Sequence, residues 1–166
     1  MKALLIILSG LLVLANAFFV IAEYALVRSR RSRLEAMADE GARGGRLALS
    51  QSEQIGDYIS ACQVGITMAS IGIGALGEPA IAHVLEPIFG HIGHGAGVAI
   101  SVVIAYVVIT FAQSTVGEIV PKLYAIQHAE SLARRIARPL RFFRVMFSPL
   151  ITVLNATSNA LLRMLG

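Results

Sequence analysis

Long apolar stretches separated by shorter polar ones dominate the pattern of this sequence. Residues 3–22 and 58–77 contain no charged side chain, and neither does the stretch 87–117. A membrane-spanning helix needs about 20 consecutive, mostly apolar residues. The pattern therefore predicts three transmembrane helices, at about 3–27, 58–77 and 97–118, and a connecting loop over the residues between the second and the third.

The segments outside these spans are more mixed. Residues 28–57 have a weak apolar periodicity and several glycines, which predicts a cytoplasmic helical segment interrupted by a turn. Residues 139–165 mix arginines with Phe and Leu, which is typical of a helix lying in the membrane interface; a fourth span is the alternative. The chain ends just after this segment, so we expect 1–166 to be a single membrane domain from a longer protein.

The positions of the charges predict the orientation. The chain has 14 Lys and Arg, and all except Lys2 lie in the block 28–46 or from Lys122 onward. Cytoplasmic loops of membrane proteins are enriched in these residues. Both blocks are therefore expected in the cytoplasm and the N-terminus outside. The net charge of +4 does not indicate nucleic-acid binding, because the charges flank the apolar stretches and form no separate basic face.

The N-terminal stretch has a second interpretation. Lys2, an apolar run and Ala15-Asn16-Ala17 imitate a signal peptide with its cleavage site. However, the apolar run continues for ten residues beyond Ala17 and then stops at an arginine cluster. A stop-transfer span has this pattern, so we favour the transmembrane helix.

Composition excludes several classes of protein. The chain is 56% hydrophobic and 14% charged, whereas a soluble domain has about 25% charged residues. The single Cys excludes a disulfide framework within one chain and any Cys-rich metal site. The sequence contains no G-x-S-x-G, Walker or H-E-x-x-H motif, so we do not expect an enzyme.

Each predicted span carries polar side chains on one helical face. In the first span, Asn16 and Glu23 are seven residues apart and share a face. The other two stripes follow the spacing i, i+4, i+7, i+11, with Gln63, Thr67, Ser70 and Gly74 in the second span and Tyr106, Thr110, Gln113 and Gly117 in the third. Polar residues inside a membrane are costly and usually face a cavity or a partner.

Depth along each helix groups these side chains into two layers. With a rise of about 1.5 Å per residue, Glu23, Gln63 and Glu118 lie roughly 6–7 Å from the cytoplasmic edge. Asn16, Ser70 and Thr110 lie roughly 15–18 Å deep by the same rise. Carboxylate, amide, hydroxyl and carbonyl oxygens are ligands for Mg²⁺, Ca²⁺ or Na⁺. The two layers therefore predict a path for a hard cation that opens toward the cytoplasm.

Gly117 adds a backbone oxygen to this set. Pro121 has no N–H, so the Gly117 carbonyl four residues earlier loses its usual helical partner. Such a carbonyl is tolerated in a membrane only inside protein or beside a cavity.

Structural interpretations of the same residues stay open. Ser, Thr and Gly stripes often only pack helices closely. Glu23 could pair with Arg28, and Glu118 could pair with Lys122 one turn later.

Three motifs, in this order, resemble the membrane domain of the CorC/CNNM family. They are Asn16–Val27 followed by Arg30–Leu34, then Ser60–Ser70 followed by Gly77–Ala80, and finally Gly117–Lys122. The resemblance implies a homodimer in the inner (plasma) membrane that exports Mg²⁺, with Na⁺ as the counter-ion. It also implies three transmembrane helices, a juxtamembrane helical belt and an inward-facing acidic cavity.

The resemblance also implies roles for particular residues. A π-type turn at Gly117 and Glu118 would help to hold the ion. Together with the two layers, this leads us to expect Glu118, Asn16 and Ser70 as side-chain ligands and a carbonyl ligand from the Gly117 region. Glu23 would make the vestibule negative, and Thr67 belongs to the same candidate set. The CBS domains through which relatives bind ATP are absent from this chain, and Ala112-Gln113-Ser114 replaces a His-containing version of the third helix. The alternative function is a non-transporting membrane anchor or Mg²⁺ sensor.

Overall fold

Eight α-helices and one π-helical segment form the described part of the chain, residues 2–89 and 94–165 of a computed structural model. The α-helices are α1 (Lys2–Arg28), α2 (Arg31–Asp39), α3 (Gly45–Glu53), α4 (Ile55–Phe89), α5 (His94–Ala112), α6 (Val120–Gln127), α7 (Ala129–Met146) and α8 (Ser148–Leu165). The π segment, Gln113–Ile119, joins α5 to α6. The all-helical architecture predicted from the sequence is confirmed.

Three stretches of the described chain are long and apolar enough to cross a membrane. They are Ala3–Arg28, Ile55–Ala82 and Gly95–Gln127. Their number agrees with the prediction, and each stretch is longer than the span that the sequence predicted. The third includes the π segment and continues into α6. The side of the membrane on which the N-terminus lies stays a prediction.

The chain divides into two compact units. The first unit consists of Met1–Phe18 and Ile66–Pro121, and the second of Phe19–Gly65 and Lys122–Gly166. Helices α1 and α4 contribute residues to both.

In the first unit, glycines let the helices approach closely. A Cβ atom on Gly72 of α4 would lie 2.9 Å from Leu12 Cδ1 of α1. A Cβ atom on Gly77 would lie 2.6 Å from Ile109 Cδ1 of α5. Small residues at helix contacts are the usual means of close packing in membranes. Large apolar side chains such as Phe111, which is 71% exposed, cover the outside, as expected for a surface in contact with lipid.

In the second unit, α7 is strongly amphipathic. Its buried residues follow a helical period and are Ala129, Leu132, Ala133, Ile136, Ala137 and Leu140. Arginines occupy much of the rest of the helix. Helix α3 packs against both α2 and α7. The buried Gln51 of α3 donates from Nε2 to the Ala137 carbonyl at 2.6 Å, which ties α3 to α7.

Helix α8 returns along the beginning of α4. Ile151 packs with Ala61 and Val64, and Phe143 and Phe147 cover this small core. The Asp57 carboxylate forms an ion pair with Arg144. It also accepts a hydrogen bond of 3.0 Å from Asn155 Nδ2.

The prediction of a single helix over 139–165 is wrong, whereas its location in the membrane interface stays a prediction. Pro139 lies inside α7, and the break comes at Phe147, where α7 and α8 meet at a bend of 80°. A proline inside a helix costs about 3 kcal/mol or more. The apolar stripe of α7 continues on both sides of Pro139, with Ile136 and Leu140 buried. We attribute the continuity of the helix to this burial, which offsets the cost.

The prediction of a connecting loop from residue 78 onward is also wrong, because most of these residues are helical. Helix α4 continues through Glu78-Pro79 to Phe89, and α5 begins at His94. Ala80, directly after the proline, is buried. Packing therefore continues beyond residue 77, where the sequence predicted the end of the span. Residues 90–93, the remainder of the predicted loop, lie outside the described residues.

Candidate ion site

A chain of hydrogen bonds connects three helical segments inside the first unit. Asn16 Nδ2 of α1 donates to the carbonyl oxygen of Gly117 at 3.0 Å. The Ser70 hydroxyl of α4 donates to Asn16 Oδ1 at 3.5 Å. Gln113 Nε2, at the start of the π segment, donates to Ser70 Oγ at 2.9 Å. We call these four residues the polar network.

The π segment gives the network its backbone oxygen. The Val120 N–H donates to the Thr115 carbonyl, five residues earlier, instead of to the residue four earlier as in an α-helix. This wider turn immediately precedes Pro121, which cannot donate to Gly117. The Gly117 carbonyl is consequently available to a side chain from another helix, and it accepts a hydrogen bond from Asn16.

Burial and crowding hold the network in place. Asn16 is fully buried at 0% exposure, Gly117 is buried, and Ser70 and Gln113 are half-buried. A Cβ atom on Gly117 would lie 3.2 Å from Asn16 Nδ2. Only a residue without a side chain lets the amide approach the backbone at this distance without displacement.

The oxygens of the network match the ligands of a hard cation. Asn16 Oδ1, Ser70 Oγ and the Gly117 carbonyl are close together, and all are neutral oxygens. Carbonyl and hydroxyl oxygens each have two lone pairs, so one hydrogen bond does not exhaust them. No group of three or more His, Cys, Asp or Glu side chains that could hold a metal occurs among the described residues. The donor set therefore fits a hard ion that retains water, and not a soft metal.

Glu118 and Thr67 belong to the first unit but not to the network. Both side chains are exposed. Within residues 2–89 and 94–165, the Glu118 carboxylate has no hydrogen bond or ion pair. Its carboxylate directly follows the Gly117 carbonyl in the chain and is free to approach a cation. Thr67 lies one turn before Ser70 on α4.

Glu23 lies in the second unit, so its part in a common ion site stays a prediction. Its side chain is half-buried. Lys122, from the same unit, is close enough to Glu23 for electrostatic attraction. The Lys122 ammonium group also lies over the Tyr24 ring, 4.6 Å from its centroid.

Sequence reasoning missed Gln113 as a partner of Asn16 and Ser70. The depth count selected Thr110 for this layer, but the Thr110 side chain is exposed. The signal for Gln113 was present, because it lies on the same stripe as Gly117. The count assumed a regular α-helix, and the wider turn of the π segment changes which residues share a level.

A comparison with protein families finds one match over almost the whole chain. The family model described as "Cyclin M transmembrane N-terminal domain" matches residues 6–166. Similar proteins come from Bacillus subtilis (strain 168). UPF0053 protein YhdT is 44% identical over 163 residues, which are 97% of this chain and 35% of YhdT. UPF0053 protein YrkA is 36% identical over 169 residues, covering 100% of this chain and 39% of YrkA. The chain thus spans little more than a third of the length of these relatives.

Proposed function

Because the chain belongs to the family of cyclin M transmembrane N-terminal domains, we propose that it is the membrane domain of a Mg²⁺ transporter. The observation that carries this proposal is the polar network of Asn16, Ser70, Gln113 and the Gly117 carbonyl. It gathers neutral oxygens from three helical segments of an apolar chain. Intramembrane polar groups of this kind are characteristic of ion pathways.

In this proposal, Asn16 Oδ1, Ser70 Oγ and the Gly117 carbonyl are the ligands of the ion. Mg²⁺ is reluctant to lose water and usually keeps several water molecules when bound by protein oxygens. Three neutral oxygens with retained water suit transient binding, which transport requires. The exposed Glu118 carboxylate supplies the negative charge that the network lacks.

Glu23 and Thr67 are the remaining members of the candidate set. Glu23 lies five residues from the arginine-rich end of α1, where a negative charge would attract a cation from the cytoplasm. Thr67 offers a hydroxyl one turn from Ser70. The proposal has further parts: Mg²⁺ is exported, Na⁺ is the counter-ion, and the chain is a homodimer in the inner (plasma) membrane. They rest on the family resemblance.

The network is also compatible with two functions that involve no transport. It is closed by internal hydrogen bonds, and a fully buried Asn is an effective link between membrane helices. The same contacts could therefore hold together a non-transporting anchor or a Mg²⁺ sensor. Both alternatives place the network in helix packing and differ from the transporter in the flux that they predict.

Mg²⁺ flux in proteoliposomes distinguishes these functions. We expect the wild-type chain to carry Mg²⁺ and a Na⁺ gradient to accelerate the flux. Glu118→Gln should reduce the flux at least tenfold, because it removes the charge next to the Gly117 carbonyl. Glu40→Gln is the matched control, since Glu40 is an exposed acid at the end of α2 and should be neutral. Wild-type vesicles that contain folded protein but show no Mg²⁺ flux would support the anchor or sensor.

A further inference from the structure

Two adjoining clefts in the second unit are lined by arginines. The larger, of about 470 Å³, lies between α7 and the loop that joins α2 to α3. Four arginines line it, namely Arg43, Arg46, Arg138 and Arg141. The smaller, of about 340 Å³, shares Arg43 and Arg138 with the first. Pockets of this size, about 300–1,000 Å³, accommodate small ligands.

Two arginines of the second unit, Arg31 and Arg144, have acidic partners, and the four cleft arginines differ from these two. Arg31 pairs with Glu35 and Glu53, and Arg144 pairs with Asp57. In the described part of the chain, by contrast, none of the guanidinium groups of the four cleft arginines has a hydrogen bond or an ion pair. Like charges collected on facing walls repel one another unless an anion lies between them. The clefts are therefore suited to an anionic ligand.

The backbone around the clefts is fixed before any ligand binds. Gly44 has φ +86°, and a Cβ atom there would lie 2.2 Å from the Arg134 carbonyl oxygen. The loop is thus in direct contact with the α7 backbone. The hydrogen bond from Gln51 to the Ala137 carbonyl ties α3 to the same helix. Arg43 and Arg46 are consequently held opposite Arg138 and Arg141.

Contacts within the second unit indicate how far α7 reaches along α1. Near its start, the Glu130 carboxylate accepts a hydrogen bond from the Arg30 N–H at 3.5 Å. Near its end, the Phe143 ring lies 4.5 Å from the Phe19 ring. Phe19 is nine residues from the end of α1, which corresponds to roughly 13 Å along the helix. Helix α7 therefore runs beside the last turns of the first span.

This course brings the cleft arginines to the edge of the bilayer. The apolar stretch Ala3–Arg28 has 26 residues, or about 39 Å at the α-helical rise. The hydrocarbon core is only about 30 Å thick. The stretch therefore exceeds the core by about 9 Å, so its last residues and the part of α7 beside them can extend into the headgroup layer. Directly after Arg141, Phe142 is 70% exposed, as expected of a side chain that enters lipid.

We propose that the two clefts bind the headgroup phosphates of anionic phospholipids. The guanidinium group forms bidentate, charge-assisted hydrogen bonds with phosphate. Basic pockets beside membrane helices are a recognised form of lipid-headgroup site. Arg43 and Arg138, which line both clefts, form the centre of the site. A free phosphate anion has the same chemistry but lacks the acyl chains that the neighbouring exposed apolar side chains would contact.

The test is lipid retention by the full chain, measured by native mass spectrometry from detergent micelles. Phosphatidylglycerol is titrated against phosphatidylcholine, and glycerol 3-phosphate serves as the free phosphate. The double variant Arg43→Gln/Arg138→Gln removes the centre of the site, and Arg46→Gln removes one wall of the larger cleft. Arg163→Gln is the control, because Arg163 is an exposed arginine in the last turn of α8 and lines neither cleft.

We expect the wild type and Arg163→Gln to retain phosphatidylglycerol in preference to phosphatidylcholine. The double variant should bind phosphatidylglycerol at least tenfold more weakly, and Arg46→Gln should be intermediate. Circular dichroism should show unchanged helix content, because Gln is a helix former similar to Arg. Equal retention of both lipids, or retention unchanged in the double variant, would overturn the proposal. Binding of glycerol 3-phosphate as tight as that of the lipid would overturn the assignment to a lipid.

Discussion

Asn16 is the residue on which the proposed ion site depends most. Its amide donates to the Gly117 carbonyl, and its oxygen accepts from Ser70. A carboxylate at this position could not donate, and an alanine would leave a buried carbonyl unpaired. Leaving a buried acceptor unpaired costs about 1–3 kcal/mol. In the proposed site, the Asn side chain therefore serves packing and ligand geometry at the same time.

Gly117 provides a residue-scale test of the geometry. Gly117→Ala places a methyl group 3.2 Å from Asn16 Nδ2, so the amide must move. We expect a loss of about 1–3 kcal/mol in the free energy of unfolding, as is typical of overpacking. Denaturant unfolding in detergent micelles measures this loss.

Gly74→Ala is the matched control for Gly117→Ala. Nothing lies within 4 Å of a Cβ atom at Gly74. We expect no loss at this position and a gain of up to about 1 kcal/mol, because Ala is a better helix former than Gly. Equal destabilisation by the two substitutions would contradict the described packing of Gly117 against Asn16.

Much of the site could be predicted from single residues. Periodicity placed Asn16 and Ser70 on polar faces, and helical rise placed them at similar depths. The missing N–H of Pro121 indicated an available carbonyl at Gly117. That Gln113 joins the network in place of the predicted Thr110 could not be foreseen from these rules. The depth estimate assumes a regular α-helix and does not include a π turn.

At the scale of elements, the turn between α2 and α3 determines how α3 meets α7. Gly41 and Gly44 both have positive φ, at 71° and 86°. Only Gly44 also touches another element, through the Arg134 carbonyl. Substitutions at Gly41 and Gly44 therefore separate the cost of backbone strain from the cost of steric overlap with α7.

Gly44→Ala should destabilise the chain more than Gly41→Ala. Positive φ costs an alanine about 1–2 kcal/mol at either position. At Gly44, the overlap with the Arg134 oxygen should add about 1–3 kcal/mol, as for other overpacked sites. The midpoint of thermal unfolding compares the two variants. A Gly41→Ala variant as unstable as Gly44→Ala would show that α7 contact is unimportant.

Proline limited the prediction of element boundaries. The predicted second span ended at residue 77, just before Pro79, and the predicted interfacial helix began at Pro139, yet α4 and α7 continue through both prolines. The expectation that a proline ends a helix considers only one lost hydrogen bond and one steric clash. It does not count apolar residues that are buried on either side, such as Ile136 and Leu140 in α7. Long apolar runs, whose length matches the thickness of the bilayer, predicted the spans more reliably than the prolines predicted their ends.

At the scale of the whole molecule, the charge distribution predicts the topology in the membrane. Glu40 lies in the arginine-rich segment after α1, and Ala96 lies near the start of α5; both are exposed. In intact cells, a membrane-impermeant thiol reagent should label Ala96→Cys but not Glu40→Cys. The natural Cys62 is buried and should contribute little background. Labelling of Glu40→Cys alone would reverse the orientation.

Equilibrium Mg²⁺ binding is the measurement that tests the central claim most directly. It compares the wild type, Ser70→Ala and Asn159→Ala by calorimetry of the purified chain in detergent micelles. Ser70 is a half-buried member of the polar network, whereas Asn159 is exposed on α8 and lies outside it. We predict that the wild type and Asn159→Ala bind Mg²⁺ with similar affinity and that Ser70→Ala binds at least tenfold more weakly. Wild-type affinity in a folded Ser70→Ala variant, or no Mg²⁺ binding by the wild type at millimolar concentration, would contradict the assignment of the ion site to the polar network.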